Sequence, residues 1–297
     1  MGRETNKQRR ERQAMSAREK AASARAAQAR IDQRRRARTI LSSVAAAGVV
    51  IAVIVVLVIV NQGKVKNNPN GDPTSASPQI VSDVTGIQDA TYNAVGQGSA
   101  NLDAVKAIHD SPLTENGKPE VLFIGAEFCP YCAAERWSLI NALSRFGTFS
   151  NLDQVRSATD DGNVATFSFR KSSYSSKYLS FRAVEDEDRS EQPLMSPTSA
   201  EKTIWLKYTQ QGSFPFLDYG GKYVQTQVGY AFQDLSGLNW TQITDDLKNP
   251  SSTVAKDIIG EANVDTKLIC SILDDPSSAP ACSASGLSAI SLPTASA

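Results

Sequence analysis

Two cysteines separated by two residues are the part of the sequence best suited to chemistry. Cys129 and Cys132 enclose Pro130 and Tyr131 in a Cys-Pro-Tyr-Cys motif. Thiols at this spacing can form a reversible disulfide, in which the first thiol attacks a substrate disulfide and the second resolves the mixed disulfide. Half of a zinc site is a weaker interpretation, because no second CxxC completes it and the chain has one histidine, His109. The motif predicts a redox-active pair, with a structural disulfide or a soft metal ion such as Cu(I) as alternatives.

A strand and a helix are expected to position this pair. Residues 121–128 (VLFIGAEF) form a short apolar run typical of a buried central strand. Large apolar residues then recur every three positions from Trp137 to Phe146, which predicts an amphipathic helix closed by Gly147. The N-terminus of a helix offers unpaired N–H groups and a partial positive charge, and both stabilise a thiolate. We therefore expect the pKa of the Cys129 thiol to be lowered.

The order of the predicted elements is similar to that of thioredoxin. It consists of a strand at 121–128, a helix at 129–146, a strand near 164–170, a helix near 200–211, a strand opened by Pro215, a strand at 222–228 and a helix near 239–248. More narrowly, the segments GAEFCPYCAAERW, ALSRFG, YSSKYLSF and FPFLDYG resemble the membrane-anchored bacterial and archaeal family catalogued as domain of unknown function 929. The resemblance covers roughly residues 80–275.

The resemblance implies an α/β fold, with a thioredoxin-like mixed sheet flanked by helices and an insert between the CxxC helix and the second half of the domain. It implies that Cys129 attacks the substrate and Cys132 resolves the intermediate, but it does not define the physiological reaction. It also implies that Pro215 is a cis-proline that packs against the pair and orients the substrate chain. A trans proline at the start of an edge strand is the alternative.

Proton transfer at the second cysteine requires a further group. Thioredoxins bury a carboxylate six residues before the first cysteine, whereas this chain has Phe123 at that position. Glu127 lies four residues further on, so strand alternation places it on the same face, and Glu135 lies in the predicted helix. We expect Glu127, Glu135 or water to handle the proton, and the alternative is that both carboxylates are solvated surface charges.

The insert before residue 200 combines aromatic and acidic residues. Its aromatic residues are Phe167, Phe169, Tyr174, Tyr178 and Phe181. We expect these side chains to lie in the core, with a substrate groove as the alternative. The acidic run at 184–191 (VEDEDRSE) is expected to be a solvated loop.

Cys270 and Cys282 lie outside the CxxC motif, with eleven residues between them. A disulfide between them would fasten the helix predicted at 253–273 to its own tail and would add about 3 kcal/mol to stability. The alternative is a second redox pair that relays electrons to the CxxC motif. The residues after Cys282 are small and polar and are predicted to be disordered.

Residues 39–60 are predicted to cross a membrane. They form an uncharged, mostly apolar stretch of about 33 Å as a helix, enough for the hydrocarbon layer of about 30 Å, whereas a cleaved signal peptide has a shorter apolar core. Residues 1–38 hold 13 basic and 4 acidic side chains and are expected to stay cytoplasmic near anionic lipid, without binding nucleic acid. A flexible linker at 61–79, a domain at 80–275 and a tail at 276–297 are then extracytoplasmic.

The sequence therefore predicts a membrane-anchored extracytoplasmic thiol–disulfide oxidoreductase. Its expected partners are cysteine-containing secreted or membrane proteins and a separate redox partner, and no organic cofactor is expected because the cysteine pair carries the electrons. The motif lacks the histidine that strongly oxidising relatives place between their cysteines, so we expect a milder potential than about −120 mV. The alternative is a non-catalytic thioredoxin-like module that binds client proteins or a soft metal ion. Exposure of Cys129 with shielding of Cys132 would favour the enzyme, and equal burial would favour the module.

Overall fold

A computed structural model describes residues 74–209 and 211–294 of the chain. The basic arm, the predicted membrane span at 39–60 and the linker as far as residue 73 lie outside the described residues, so the expectations for them stay predictions. Within the described residues, no helix combines the length and the apolar character that a membrane crossing requires.

The described residues form a mixed α/β fold. The six α-helices in this part of the chain are α1 (Pro78–Thr85), α2 (Asp89–Val95), α3 (Pro130–Ser144), α4 (Ser199–Tyr208), α5 (Trp240–Leu247) and α6 (Thr253–Ile272). The strands are β1 (Thr74–Ser75), β2 (Val105–Ala107), β3 (Thr114–Glu115), β4 (Lys118–Gly125), β5 (Gly147–Ser150), β6 (Asp153–Arg156), β7 (Ala165–Ser168), β8 (Ser173–Ser176), β9 (Ser180–Glu185), β10 (Phe216–Tyr219) and β11 (Tyr223–Gln225). Short 3-10 helices lie at Phe232–Leu235, Pro276–Ser278, Pro280–Ser283 and Ser285–Leu287.

Strand β4 lies inside a six-stranded mixed sheet. Its neighbours are β10, which runs antiparallel to it, and β9, which runs parallel to it on the other side. Strands β11 and β2 extend the sheet beyond β10, and β3 pairs with the first residues of β4. A strand covered on both faces needs apolar residues on both, and Val121, Leu122, Phe123 and Ile124 are all fully buried.

Successive side chains of β4 contribute to two different cores. Val121 and Phe123 belong to the main apolar cluster, which also contains the buried residues of α3 and α6. Leu122 and Ile124 belong to a second cluster with Trp205 of α4. The sheet therefore lies between α3 and α6 on one face and α4 on the other.

Helix α3 is buried on all sides instead of being amphipathic as the sequence pattern predicted. Every residue from Cys132 to Leu143 is buried, and the helix packs against α6, β7 and α1. It ends at Ser144, and Gly147 begins β5 instead of capping the helix. Strand β7 of the insert and helix α6 cover the surface of α3 that the sequence pattern predicted to face solvent.

The insert between α3 and α4 contributes a strand to the central sheet. A strand does form near 164–170, but it is β7, which pairs with β6 in a separate three-stranded sheet. The parallel neighbour of β4 is β9, which was not predicted. The expectation of a solvated acidic loop was wrong for Val184 and Glu185, which are buried in β9. Phe167 and Phe169 are buried in the main core, as predicted.

The residues after α6 fold onto the domain. Cys270 and Cys282 form a disulfide. The last three 3-10 helices follow α6, and the second of them contains Cys282. Leu287 and Ile290 are buried in the main core. The prediction of a disordered tail after Cys282 was therefore wrong for the residues described up to 294. The small side chains of this segment allow it to pack closely against α2 and α6.

Removing the Cys270–Cys282 disulfide is expected to lower the free energy of unfolding by about 3 kcal/mol, because the unfolded chain gains loop entropy. The measurement is urea unfolding of the full chain carrying Cys270→Ser and Cys282→Ser, compared with wild type. Wild type with its disulfides reduced is the control and should match the variant. Equal free energies of unfolding for oxidised wild type and variant would contradict a stabilising role.

Candidate redox site

Cys129 is the N-cap residue of α3. Its sulfur accepts a hydrogen bond from the backbone N–H of Cys132, with a donor–acceptor distance of 3.3 Å. Pro130 occupies the first turn, where the missing N–H costs no hydrogen bond. The sulfur of Cys129 therefore lies at the positive end of the helix dipole, as the sequence predicts.

The two thiols differ more in electrostatics than in exposure. Cys129 keeps 5% of its surface exposed and Cys132 keeps none. A hydrogen bond from the Cys132 thiol, a backbone N–H and the charge of Arg136 together lower the pKa of Cys129 despite its burial. Burial, followed by the hydrogen bond to Cys129, raises the pKa of Cys132 well above its usual value. Cys129 is thus suited to be the nucleophile, and Cys132 to hold its proton until it is needed.

The end of β4 fixes the position of Cys132. A Cβ atom added at Gly125 would overlap the Phe123 ring and lie 3.1 Å from Sγ of Cys132, so glycine leaves the space in which this sulfur packs. The loop that follows Gly125 is tied to the residues after β9 by two backbone hydrogen bonds of 2.7 and 2.8 Å. The junction between β4 and α3 is therefore fixed by the close packing of Gly125 against Cys132 and by the two hydrogen bonds to the residues after β9.

A buried ion pair lies close to the cysteines. Arg136 donates through Nε and Nη2 to the two carboxylate oxygens of Glu185, with the Nε bond at 3.0 Å. Nη2 also donates to the carbonyl of Ala126 at 2.8 Å. Both charged side chains are fully buried. The positive charge of Arg136 acts to lower the pKa of both thiols, and so it favours a thiolate at this site.

Pro215 lies at the same end of the sheet as the cysteine pair. The Phe214–Pro215 peptide bond is cis, as the resemblance implies. The next residue, Phe216, pairs with Ile124, which places Pro215 beside the end of β4. The ring of Phe214 contacts the ring of Phe128 edge-on, with centroids 6.2 Å apart. The structure thus brings Pro215 to the start of the CxxC helix.

Glu127 is buried, so the alternative interpretation as a solvated surface charge was wrong for it. One of its carboxylate oxygens accepts a hydrogen bond from the hydroxyl of Ser168. Burial is the main cause that raises its pKa, and the nearby carboxylate of Glu185 adds to this effect. Because its side-chain hydrogen bond is to Ser168 and not to a thiol, a role in proton transfer stays a prediction.

Glu135 is also fully buried and was likewise not a surface charge. It accepts a hydrogen bond from Nε2 of Gln225 at 3.0 Å. Its carboxylate lies within 4.8 Å of those of Glu261 and Asp265. Burial, followed by these two carboxylates, raises its pKa well above the usual value. Glu135 therefore belongs to a second cluster, and its role in proton transfer also stays a prediction.

Sequence reasoning did not identify the pair of Arg136 and Glu185. The two residues are 49 positions apart, and Glu185 lies in the run that was expected to face solvent. One signal was available, because Arg136 follows Cys132 by four residues and residues at that spacing share a helix face. That spacing could have placed a positive charge beside the second cysteine.

Alkylation of the full chain with iodoacetamide across a pH series is expected to distinguish the two thiols. The rate of Cys129 alkylation should reach its plateau at a lower pH than that of an ordinary thiol, whose pKa is about 8.5. The reason is that a lowered pKa provides thiolate at lower pH. Cys132 should stay unreactive until the chain unfolds, because it is buried and its pKa is raised. Peptide mapping by mass spectrometry measures each rate.

The Cys132→Ala variant is the control for this titration. It removes the hydrogen bond that lowers the pKa of Cys129, so the midpoint of Cys129 alkylation should move to higher pH. Equal rates and equal midpoints for both cysteines in wild type would contradict the proposed asymmetry.

Replacing Arg136 by Met is expected to lower the free energy of unfolding by about 3–5 kcal/mol, because Glu185 is left as an unpaired buried charge. Adding Glu185→Gln should recover part of this loss, since the amide keeps an acceptor for the N–H of Phe169. The Cys129 alkylation midpoint should rise in both variants, because both lack the positive charge. Urea unfolding and alkylation measure the two effects.

Arg182→Met is the matched control for the stability measurement. Arg182 pairs with Glu201 at 2.8 Å, but 37% of its side chain is exposed. Exposed ion pairs contribute about 0–1 kcal/mol, so the loss should be small. A loss for Arg136→Met no larger than that of Arg182→Met would show that the buried pair has no special importance.

Comparison with known protein families yields a match that covers the candidate site. The profile of the family described as Domain of unknown function (DUF929) matches residues 105–271, which is more than half of the chain. No curated protein and no solved structure matches the chain significantly. The matched residues include the cysteine pair, its buried ion pair and Pro215, and on this match the chain belongs to the DUF929 family.

Proposed function

We propose that this protein is a membrane-anchored thiol–disulfide oxidoreductase that acts outside the cytoplasm on protein cysteines. The observation that carries the proposal is the placement of two thiols at one helix terminus, where the sulfur of Cys129 accepts a hydrogen bond from the backbone N–H of Cys132 at 3.3 Å and Cys132 is fully buried. The pKa of Cys129 is lowered and that of Cys132 is raised. A catalytic dithiol requires this division, because one sulfur must attack as a thiolate while the other retains its proton.

We further propose that the fold is thioredoxin-like. The support is the order and direction of the elements around the motif. Strand β4 leads into the CxxC helix, and β9 returns parallel to β4. A hairpin of β10 and β11 follows, with β10 antiparallel to β4, and helices end the domain. Strands β5 to β8 form the insert between the CxxC helix and the returning strand.

The proposed reaction has two exchange steps. The Cys129 thiolate attacks one sulfur of a substrate disulfide, which forms a mixed disulfide and releases the other substrate sulfur as a thiolate. Cys132 then loses its proton and attacks Sγ of Cys129. This forms the Cys129–Cys132 disulfide and releases the second substrate sulfur, so that the substrate gains two electrons and, in total, two protons. The reverse sequence oxidises a substrate dithiol.

Aromatic side chains near the motif provide a surface for a substrate chain. Tyr131, between the two cysteines, is 38% exposed and contacts Phe232 with ring centroids 4.9 Å apart. Phe214, next to Pro215, contacts Phe128 and stacks on Trp205. Such a surface favours an unfolded or extended peptide with apolar residues beside its cysteine.

The proposed location rests on the predicted membrane span at 39–60 and its flanking charges. The disulfide between Cys270 and Cys282 supports an oxidising compartment, since stable disulfides are rare in the cytosol. Secreted or membrane proteins with cysteines would be the substrates. A separate redox partner would restore the pair after each turnover.

A binding module without turnover is the second candidate. The observation that favours it is the small difference in burial between Cys129 and Cys132, at 5% and 0% exposure. A module would hold a client chain or a soft metal ion at the same surface. The pKa difference favours the enzyme, because a binding module has no need for one thiolate and one retained proton.

Redox titration of the full chain in detergent is the test. The protein is equilibrated in graded glutathione buffers, its free thiols are alkylated, and the products are mapped by mass spectrometry. Cys129 and Cys132 should titrate together and reversibly, at a potential more negative than about −120 mV. Cys270 and Cys282 should stay oxidised throughout.

Three variants make this test specific. Cys132→Ser should accumulate a mixed disulfide between Cys129 and a substrate, because the resolving thiol is absent. Cys129→Ser should form none, and the double variant Cys270→Ser/Cys282→Ser should keep the wild-type titration. If Cys129 and Cys132 do not titrate across the range, or are protected from alkylation only by added Cu(I), the enzyme proposal is wrong and the binding module is favoured.

A further inference from the structure

Three carboxylates form a buried cluster where the CxxC helix α3 packs against α6. Glu135 comes from α3, whereas Glu261 and Asp265 lie four residues apart on α6, so both can face the same neighbour. One carboxylate oxygen from each lies within 4.8 Å of the others. The exposed fractions of these residues are 0%, 1% and 0%. Three potential negative charges are therefore concentrated in the core.

This cluster lacks a compensating charge among the described residues. None of the ion pairs there joins Lys, Arg or His to any of the three carboxylates. Each carboxylate also has one buried oxygen without a hydrogen-bond partner, namely Oε1 of Glu135, Oε2 of Glu261 and Oδ2 of Asp265. Buried carboxylates in proteins are normally paired, protonated or bound to a metal, and the three unpartnered oxygens are available to a ligand.

Gln225 is directed into the cluster and is itself fully buried. Its Nε2 donates to Glu135 at 3.0 Å and to Glu261 at 2.7 Å, while its Oε1 has no partner. A half-turn of the amide would exchange these two atoms and direct the oxygen at the carboxylates. The amide can therefore serve as a donor to the empty cluster or as a fourth oxygen ligand to a cation.

Neighbouring groups orient the carboxylates from outside the cluster. The hydroxyl of Tyr219 donates to Oδ1 of Asp265 at 2.7 Å. The backbone N–H of Gly229 donates to Oε1 of Glu261 at 3.1 Å. Hydrogen bonds of this kind hold ligand carboxylates in metal sites and leave their other oxygens available.

We propose that Glu135, Glu261, Asp265 and Gln225 bind a hard divalent cation. All the available ligands are oxygens, and the donor set has neither a thiolate nor an imidazole, which favours Ca²⁺, Mn²⁺ or Mg²⁺ over Zn²⁺ or copper. The cation neutralises the repulsion between α3 and α6 and joins both helices to β11. The inference is independent of the proposed redox function, because it uses neither cysteine.

The test measures metal content and thermal stability of the full chain in detergent. The protein is analysed for bound metal as purified, is then depleted with a chelator, and is heated alone and with Ca²⁺, Mn²⁺ or Mg²⁺. One cation per chain is expected. At a free concentration about 100 times the dissociation constant, the preferred cation should raise Tm by about 5–10 °C.

Matched variants locate the bound cation. Glu261→Gln and Asp265→Asn should lose the bound metal and the Tm shift. Asp257→Asn should keep both, although Asp257 is also a buried carboxylate of α6 with an unpartnered oxygen. If a cluster variant does not fold, Tb³⁺ luminescence excited through tyrosine in wild type provides a second measurement. Tb³⁺ bound to the cluster should emit, because Tyr219 lies beside the site and can transfer its excitation. The preferred cation should abolish this emission by displacing Tb³⁺ from the same site.

Two results would overturn the proposal. Wild type could hold no metal, show no Tm shift with any of the three cations and give no sensitised Tb³⁺ emission, in which case protons neutralise the cluster. Alternatively, Glu261→Gln and Asp265→Asn could bind metal as tightly as Asp257→Asn, in which case the cation lies elsewhere. Both results leave the redox titration of the cysteines unaffected.

Discussion

The enclosure of helix α3 is the constraint on which the rest of the structure depends. This helix begins at the two cysteines of the CxxC motif, and it also carries Glu135 and Arg136 into the core. A buried charge must be satisfied by other groups of the protein. Arg136 reaches Glu185 on β9, and Glu135 reaches Gln225 on β11. The polar contacts of α3 thus join it to two strands on opposite sides of β4.

The ion pair of Arg136 and Glu185 is better explained by the positive charge that Arg136 brings to the thiols than by a contribution to the stability of the fold. A buried ion pair seldom stabilises a fold more than apolar residues of the same volume would. The Cys129 sulfur, in contrast, has lost most of its hydration, and its thiolate needs compensation from the protein. The helix N-terminus, a backbone N–H and the Cys132 thiol supply part of it. Arg136 supplies the positive charge that these dipoles lack.

The features that the sequence predicted well are those with local signals. The apolar run of β4 and the CxxC spacing are contiguous, and the period after them predicted helix α3 although it did not predict the burial of its whole surface. Strand β9 has no such signal, because a parallel partner needs no adjacent turn and its residues mix polar and apolar types. The folded tail was missed because its small residues resemble a disordered segment until α2 and α6 provide the surface that they fit. Glu185 was assigned to solvent, and a solvated charge was the alternative for Glu135, because most acidic residues are exposed and the partners of these two are distant in sequence.

The two candidate sites share helix α3 but depend on different neighbouring groups. Cys132 and Glu135 lie three residues apart on α3, and both lie within the residues that define the family match, whereas Cys282 lies beyond them. Besides burial, the groups that mainly shift the pKa values of the two thiols are the other thiol, nearby backbone N–H groups and Arg136. Besides burial, the groups that shift the pKa of Glu135 are instead the carboxylates of α6 and the amide of Gln225. Helix α3 therefore carries two separate sets of polar contacts, one that supports a thiolate at its N-terminus and one that would hold a cation between α3, α6 and β11.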